Sequence, residues 1–254
     1  QRAGYKRVMF GAGPIGLYIF DRGGKITPAL KDVRVRKAIN YAIDSKAIVD
    51  AYLGGTTVGT LTRQQFGPDS DAWDPALNGL YPYNPAKAKE LLAEAGYPNG
   101  FTVTMPYYPI VGTGVLDTVK AMLGKVGITV KYDQLPSEDV MPALLAGKYS
   151  MSLLSQGYVD DWSTMVDQIA DTAPFNPFHV QDSHTQRLIH QYQYASDAQR
   201  PAIAKQLNAY IVKQAWNNVW AYGMPSILIN TKTTKIAHTT YPGYPSALDY
   251  KPVS

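Results

Sequence analysis

Near the start of the chain, Gly11-Ala12-Gly13-Pro14-Ile15-Gly16 spaces its glycines as G-x-G-x-x-G behind a short predicted strand, Tyr5 to Phe10. Glycines so spaced can cradle a cofactor pyrophosphate at a helix N-terminus, which is the chemistry of a flavin or nicotinamide oxidoreductase. The surrounding residues argue against it. Leu17-Tyr18-Ile19-Phe20 favours a strand where that helix should run, and Gly23-Gly24 would end any helix within about two turns. An acidic residue is also needed at the end of the next strand, about 20 residues on. Asp32 comes too early and follows no strand, so it reads as a helix cap. Gly11 to Gly16 is therefore expected to be a turn between two extended segments.

A second group is Tyr158-Val159-Asp160-Asp161-Trp162. A carboxylate flanked by aromatic rings suits a ligand ammonium or sugar hydroxyls. The plainer alternative is a loop aspartate capping a helix that starts near Ser163. Asp167 and Asp171 read as a solvated face. His179, His184, His190 and His238 match no helical metal-ligand pair, so no metal site is expected. The chain has no G-x-S-x-G elbow and no phosphate-binding loop, and no catalytic residue is assigned.

The elements that must position these groups follow from periodicity. Asp32 starts a helix whose apolar residues Val35, Ala38, Ile39, Ala42 and Ile43 fall at three- and four-residue spacing. Asp44 caps a second helix ended by Gly54-Gly55, and Asn84-Pro85 starts a third ended by Gly96. Residues 54 to 83 between them read as loop. Phe101–Met105, Ile128–Tyr132 and Tyr149–Leu154 are predicted strands. Helices around Val115 to Leu123 and from a Ser137 cap to Leu145 separate them. That order predicts one sheet with parallel neighbours, and ligands then sit beyond the C-terminal strand ends. Ser183 to Tyr194 and Asp197 to Gln214 read as helices, the second capped by Ser196 or Asp197. Trp216 to Tyr222 and Ser226 to Asn230 read as strands. From Thr231 onward no periodicity survives.

The 254 residues are 45% hydrophobic and 17% charged, which suits a folded protein of one large or two small domains. No stretch approaches the roughly 18 apolar residues of a membrane span, and no signal segment is visible. The opening Gln1-Arg2-Ala3-Gly4 reads as the interior of a longer chain. A net charge of +4 is mild and scattered, so no nucleic-acid partner is expected. The absence of cysteine excludes thiol catalysis, zinc-thiolate sites and disulfides. Tyrosines outnumber phenylalanines 19 to 6, and such rings with polar tips serve half-buried sheets and ligand surfaces alike.

Asp32-Val33-Arg34-Val35-Arg36-Lys37-Ala38-Ile39-Asn40-Tyr41-Ala42-Ile43-Asp44 closely resembles a signature of the family 5 extracellular solute-binding proteins, the dipeptide- and oligopeptide-binding group. The segment from Tyr83 to Tyr97 resembles a second signature, with Asn84 where the family usually has Asp. Gly157 to Trp162 resembles the family's Gly-Trp-x-x-Asp-Tyr segment with Tyr and Trp exchanged. The usual Pro-Asp-Pro after it is replaced by Ser163-Thr164-Met165. The order and spacing fit from Tyr18 to Asn230.

The resemblance implies an α/β chain, one lobe of a type II periplasmic-binding-protein-like fold, with a mixed sheet flanked by helices. It divides the chain into hinge-proximal strands at residues 1–31, a C-terminal ligand-binding lobe at 32–230, and a segment at 231–254 returning toward an N-terminal lobe that this chain lacks. It implies a non-enzymatic, extracytoplasmic binding component of an ABC importer, in a periplasm or as a cell-surface lipoprotein. The expected partners are a small solute, a membrane permease and the N-terminal lobe, with no cofactor. Tyr158, Asp161 and Trp162 would line the ligand cleft, with Asp161 on a peptide's α-ammonium. Peptide is the first reading, oligosaccharide the second, and a dinucleotide-dependent oxidoreductase resting on Gly11, Gly13 and Gly16 the rival from another class.

Overall fold

Side-chain caps set the first helix starts. Asp32 accepts from the Arg34 amide at 2.8 Å and opens α1 (Val33–Ala42). Asp44 accepts from Ala47 at 3.0 Å and opens α2 (Ser45–Tyr52). Asn84 accepts from Lys87 at 2.9 Å, with Pro85 next, and opens α3 (Pro85–Glu94). Each oxygen satisfies an amide that has no partner inside its helix. Gly54 and Gly96 stop α2 and α3 with φ of 76° and 90°, a region that costs glycine little. The computed structural model describes residues 4–9, 13–55, 59–109, 112–223, 226–236 and 249–253.

The remaining helices are α4 (Thr113–Gly124), α5 (Ser137–Leu145), the short α6 (Asp161–Thr164) running into a π-helical turn at Met165–Ile169, α7 (Ser183–Tyr194) and α8 (Arg200–Lys213). Two expected caps are corrected. Ser137 is the first helical residue of α5 and makes no capping bond. Ser196 and Asp197 belong to a separate turn before α8, where the Ser196 hydroxyl donates to Gln199 Oε1 at 2.9 Å.

The strands are β1 (Tyr5–Met9), β2 (Gly13–Ile19), β3 (Gly59–Leu61), β4 (Thr102–Pro106), β5 (Thr129–Asp133), β6 (Met151–Ser155), β7 (Asn217–Gly223), β8 (Ser226–Asn230), β9 (Thr234–Ile236) and β10 (Tyr250–Pro252). The central sheet is antiparallel, in the order β3-β7-β2-β6. β4 and β5 form a separate parallel pair, β1 pairs with β8, and β9 with β10.

The expectation of one sheet holding Phe101–Met105, Ile128–Tyr132 and Tyr149–Leu154 is thus half right. The first two segments pair in parallel, while the third is hydrogen-bonded to β2. The reason lies in which face each helix covers. Val115, Leu116, Val119 and Leu123 of α4 join one core with Leu17, Ile19 and Leu153. Val140, Ala143 and Leu144 of α5 join another with Tyr18, Phe20 and Leu154, on the opposite face of the same sheet. The chain therefore changes faces before β6, which pairs with the apolar strand β2 and only runs alongside β4.

The glycine motif is also corrected. Gly13 to Gly16 lie inside β2 and no helix starts at Gly13, while Gly11 and Ala12 fall outside the described residues. Close approach explains the glycines. A Cβ on Gly13 would sit 1.6 Å from the Gln156 carbonyl oxygen, and one on Gly16 2.3 Å from that of Asn218. The pyrophosphate reading falls with the missing helix N-terminus.

β7 carries a bulge. Ile15 faces Ala221 and Gly16 faces Val219, which leaves Trp220 as an extra residue. A bulge reverses the alternation of side chains. Asn218 lies opposite Leu17 and points to the α1 side, whereas Tyr222 lies opposite Pro14 on the other face.

Candidate ligand-binding site

β6 ends at Ser155, and the chain continues through Gln156, Gly157 and Tyr158 into α6. Asp160 is the N-cap of α6, its carboxylate accepting from the Ser163 amide at 2.7 Å. Capping therefore falls to Asp160, which leaves Asp161 for another role. The Asp161 side chain turns inward and is 6% exposed. Its Oδ1 accepts from the Tyr158 hydroxyl at 2.7 Å and from Ser70 Oγ at 2.5 Å. Its Oδ2 accepts no hydrogen bond from the described residues. Burial, and then the bond to Asp161, push the Tyr158 phenol well above its ordinary range, so it remains a donor.

Ser70 comes from the segment read as loop, which is ordered by a buried polar network. Asn208 of α8 donates to Gln64 Oε1 at 2.7 Å and to the Ala72 carbonyl at 2.8 Å. Gln64 donates to the Asp74 carbonyl and to Asn78, and Gln65 donates to Gln168 at 2.9 Å. Ser70 Oγ also accepts from the Ala72 amide at 2.9 Å, which orients its proton toward Asp161. Nothing in the local sequence marks Ser70, because its partner lies 91 positions away.

Of the three expected ligand residues, Tyr158 and Asp161 are brought into contact. Trp162 lies on the adjoining side, stacked on Tyr192 of α7 with ring centroids 6.2 Å apart and planes 4° apart. The Arg200 guanidinium sits 5.6 Å from the Tyr192 ring. Asp160, Trp162, Tyr192, Gln193 and Arg200 line a groove of about 450 Å³. α8, which carries Arg200, is tied to α1 at its far end, where Arg36 donates to the Gln214 carbonyl at 3.0 and 3.2 Å.

Tyr158 packs edge-on against Tyr222 of β7, with ring centroids 6.0 Å apart. The Tyr222 hydroxyl and both polar atoms of the Gln156 side chain are buried without a hydrogen-bond partner among the described residues. Neither residue was singled out in the sequence. No group of three or more metal-ligating side chains occurs among the described residues. His179 Nδ1 contacts the Asp171 carbonyl, while His184 and His190 lie against the Tyr210 and Tyr194 rings. His238 is outside the described residues.

Residues 3–176 match the model of the bacterial extracellular solute-binding proteins, family 5. Over 80 residues the chain is 44% identical to a heme-binding protein A of Haemophilus influenzae, a match covering 32% of this chain and 14% of that protein. Over 101 residues it is 37% identical to a glutathione-binding protein of Pectobacterium atrosepticum, covering 39% and 19% respectively. A solved dipeptide-binding protein from a Pseudoalteromonas species, in complex with Met-Leu, superposes with a TM-score of 0.82 at 22% identity. That superposition covers all of this chain and 51% of the other, so the chain spans about half the length of this structural neighbour. The fold is accordingly that of one lobe, and with the family match this chain belongs to the bacterial extracellular solute-binding proteins of family 5.

Proposed function

We propose that this chain is the C-terminal lobe of a solute-binding component of an ABC importer, that its solute is a peptide or a compound of similar size, and that it catalyses no reaction. The intact protein works outside the cytoplasm, in a periplasm or as a surface lipoprotein. It captures its solute by closure of two lobes about a hinge and hands it to a membrane permease. Residues 1–31 and 231–254 run toward the hinge and the second lobe, and residues 32–230 form the binding lobe. Tyr158, Asp161 and Trp162 line the cleft.

One observation carries this reading: Asp161 is a buried carboxylate with one oxygen held by two hydroxyls and the other free of partners among the described residues. A buried carboxylate needs a positive or donating partner to offset its desolvation. A peptide α-ammonium supplies both. The names of the relatives, for heme and glutathione, and the Met-Leu held by the structural neighbour support a family that takes small solutes of varied shape.

Calorimetry on the full-length protein with Met-Leu, reduced glutathione, hemin and maltose tests the reading. Met-Leu binding should weaken about 10- to 100-fold in Asp161→Asn, the loss of one charge-assisted hydrogen bond. Asn keeps an acceptor for Ser70 and Tyr158, so the fold should be retained. Unchanged Met-Leu affinity would remove Asp161 from the site. Binding of maltose alone, sensitive to Trp162→Ala and not to Asp161→Asn, would replace peptide by oligosaccharide.

A further inference from the structure

The proposed site uses Asp161, but three further buried polar atoms are without partners among the described residues: Gln156 Nε2, Gln156 Oε1 and the Tyr222 hydroxyl. Gln156 is 6% exposed and Tyr222 3% exposed. Buried polar atoms are nearly always hydrogen-bonded, and each orphan costs roughly 1–3 kcal/mol. Two such side chains in one place therefore call for a cause.

The sheet register puts them in one place. The Gln156 amide donates to the Pro14 carbonyl at 3.1 Å, and Pro14 faces Tyr222 on the other side of β2. Gln156, one residue past the end of β6, thus forms one row with Pro14 of β2 and Tyr222 of β7. Laterally neighbouring side chains point to the same face of a sheet. On that face Tyr158 stands against the Tyr222 ring and binds Asp161.

The row is also held rigidly. A Cβ on Gly13 would strike the Gln156 carbonyl, and one on Gly67 would lie 2.5 Å from the Tyr222 ring carbons. Backbone thus packs against the Gln156 main chain and against the Tyr222 ring itself, so the Tyr222 hydroxyl cannot readily swing away to find a partner elsewhere. Burial raises the Tyr222 phenol far above its ordinary range, and it stays protonated as a donor that can also accept.

We propose that Gln156 and Tyr222 are further solute-contacting residues, and that they receive an uncharged polar group carrying both a donor and an acceptor, such as a secondary amide, next to the ammonium taken by Asp161. The proposal rests on the cleft reading of Asp161. A primary-amide side chain offers one donor and one acceptor in a plane, the complement of a peptide N–H and C=O. Two neutral groups cannot offset a second charge in that position, so a solute charged there is disfavoured.

The test compares wild type, Tyr222→Phe and Gln156→Leu in the full-length protein, measuring solute-free melting temperature and affinity for Met-Leu. Tyr222→Phe removes only a hydroxyl. If the atoms are unpaired until the solute arrives, both variants should melt no lower than wild type, and Met-Leu affinity should fall about three- to tenfold in each. A lower solute-free melting temperature with unchanged affinity would mean that a structural water occupies these groups, and would overturn the proposal. So would unchanged affinity in both variants while Asp161→Asn loses binding, an outcome that leaves the cleft reading standing. If wild type does not bind Met-Leu, the peptide reading fails and the melting temperatures alone decide: a drop overturns the proposal, and no drop keeps the pair available to another polar solute.

Discussion

Strand β7 presents buried polar groups to both faces of the central sheet, and the two faces treat them oppositely. On the α1 side, Asn40 donates to the Arg36 carbonyl at 3.0 Å and Asn218 donates to Asn40 Oδ1 at 3.0 Å. Trp220 Nε1 then donates to Asn218 Oδ1 at 2.6 Å. That chain of bonds fastens α1 to the sheet within an apolar core. Four residues on, past the bulge, Tyr222 faces the other way and its hydroxyl has no partner among the described residues. A closed buried network stabilises a unique packing, whereas an unpaired buried polar group lowers stability. The bulge at Trp220 sends the two groups to opposite faces, since regular alternation would have sent Asn218 and Tyr222 to the same face.

The comparison breaks most visibly at Asn218. Asn218→Leu should orphan both Asn40 Oδ1 and Trp220 Nε1 within a buried, apolar core. A destabilisation of about 2–6 kcal/mol is expected, two unsatisfied groups at the usual cost. Chemical denaturation should register it as a lowered midpoint with an unchanged slope. A loss below about 0.5 kcal/mol would mean that the α1-side network is as dispensable as an exposed polar contact.

Alkaline pH probes the site face next. Burial raises the phenols of Tyr18 and Tyr222 far above the ordinary tyrosine value. Below about pH 10 the folded and unfolded phenols are both protonated, so their contribution is fully present. Above it the unfolded chain loses protons that the folded chain keeps, and stability falls as pH rises. Denaturation between pH 9 and 11 should show a loss of about 3 kcal/mol for the two groups together. Tyr222→Phe should make the slope shallower, whereas Asn218→Leu should leave it unchanged. Equal slopes in all three proteins would remove Tyr222 from the buried titrating groups.

How much of this was legible from sequence follows from the range of the interactions. The caps Asp32, Asp44 and Asn84 act within three residues, and α1, α2 and α3 start where they predict. The parallel pairing of β4 with β5 needs only one covering helix, and it too was foreseen. The partner of β6 was not, because the choice between β4 and β2 depends on which face α5 covers. Ser70 reaches Asp161 across 91 positions, and the face of Tyr222 turns on one extra residue in β7. The segment from Tyr158 to Trp162 stood out in the sequence as a candidate site through its residue types. That its two aspartates divide the work was not, because only the backbone direction into α6 decides which one caps.

That division yields the smallest expected effect. Asp160 accepts from the Ser163 amide at 2.7 Å and is exposed, so Asp160→Ala should cost about 1 kcal/mol, the usual price of a lost N-cap. α6 is one turn long and leads into a π-helical turn whose Gln168 holds Gln65. Fraying of that turn is opposed by buried Thr164, Met165 and Ile169, which keeps the loss local. Asp160→Ala should therefore lower the melting temperature slightly and leave Met-Leu affinity within about twofold, because Asp161 keeps both its hydroxyl donors. Asp161→Asn should do the reverse, with a larger loss of affinity than of stability. Should Asp160→Ala reduce affinity as much as Asp161→Asn does, the two carboxylates would act as one unit, and the capping bond would be part of the solute site rather than of the helix.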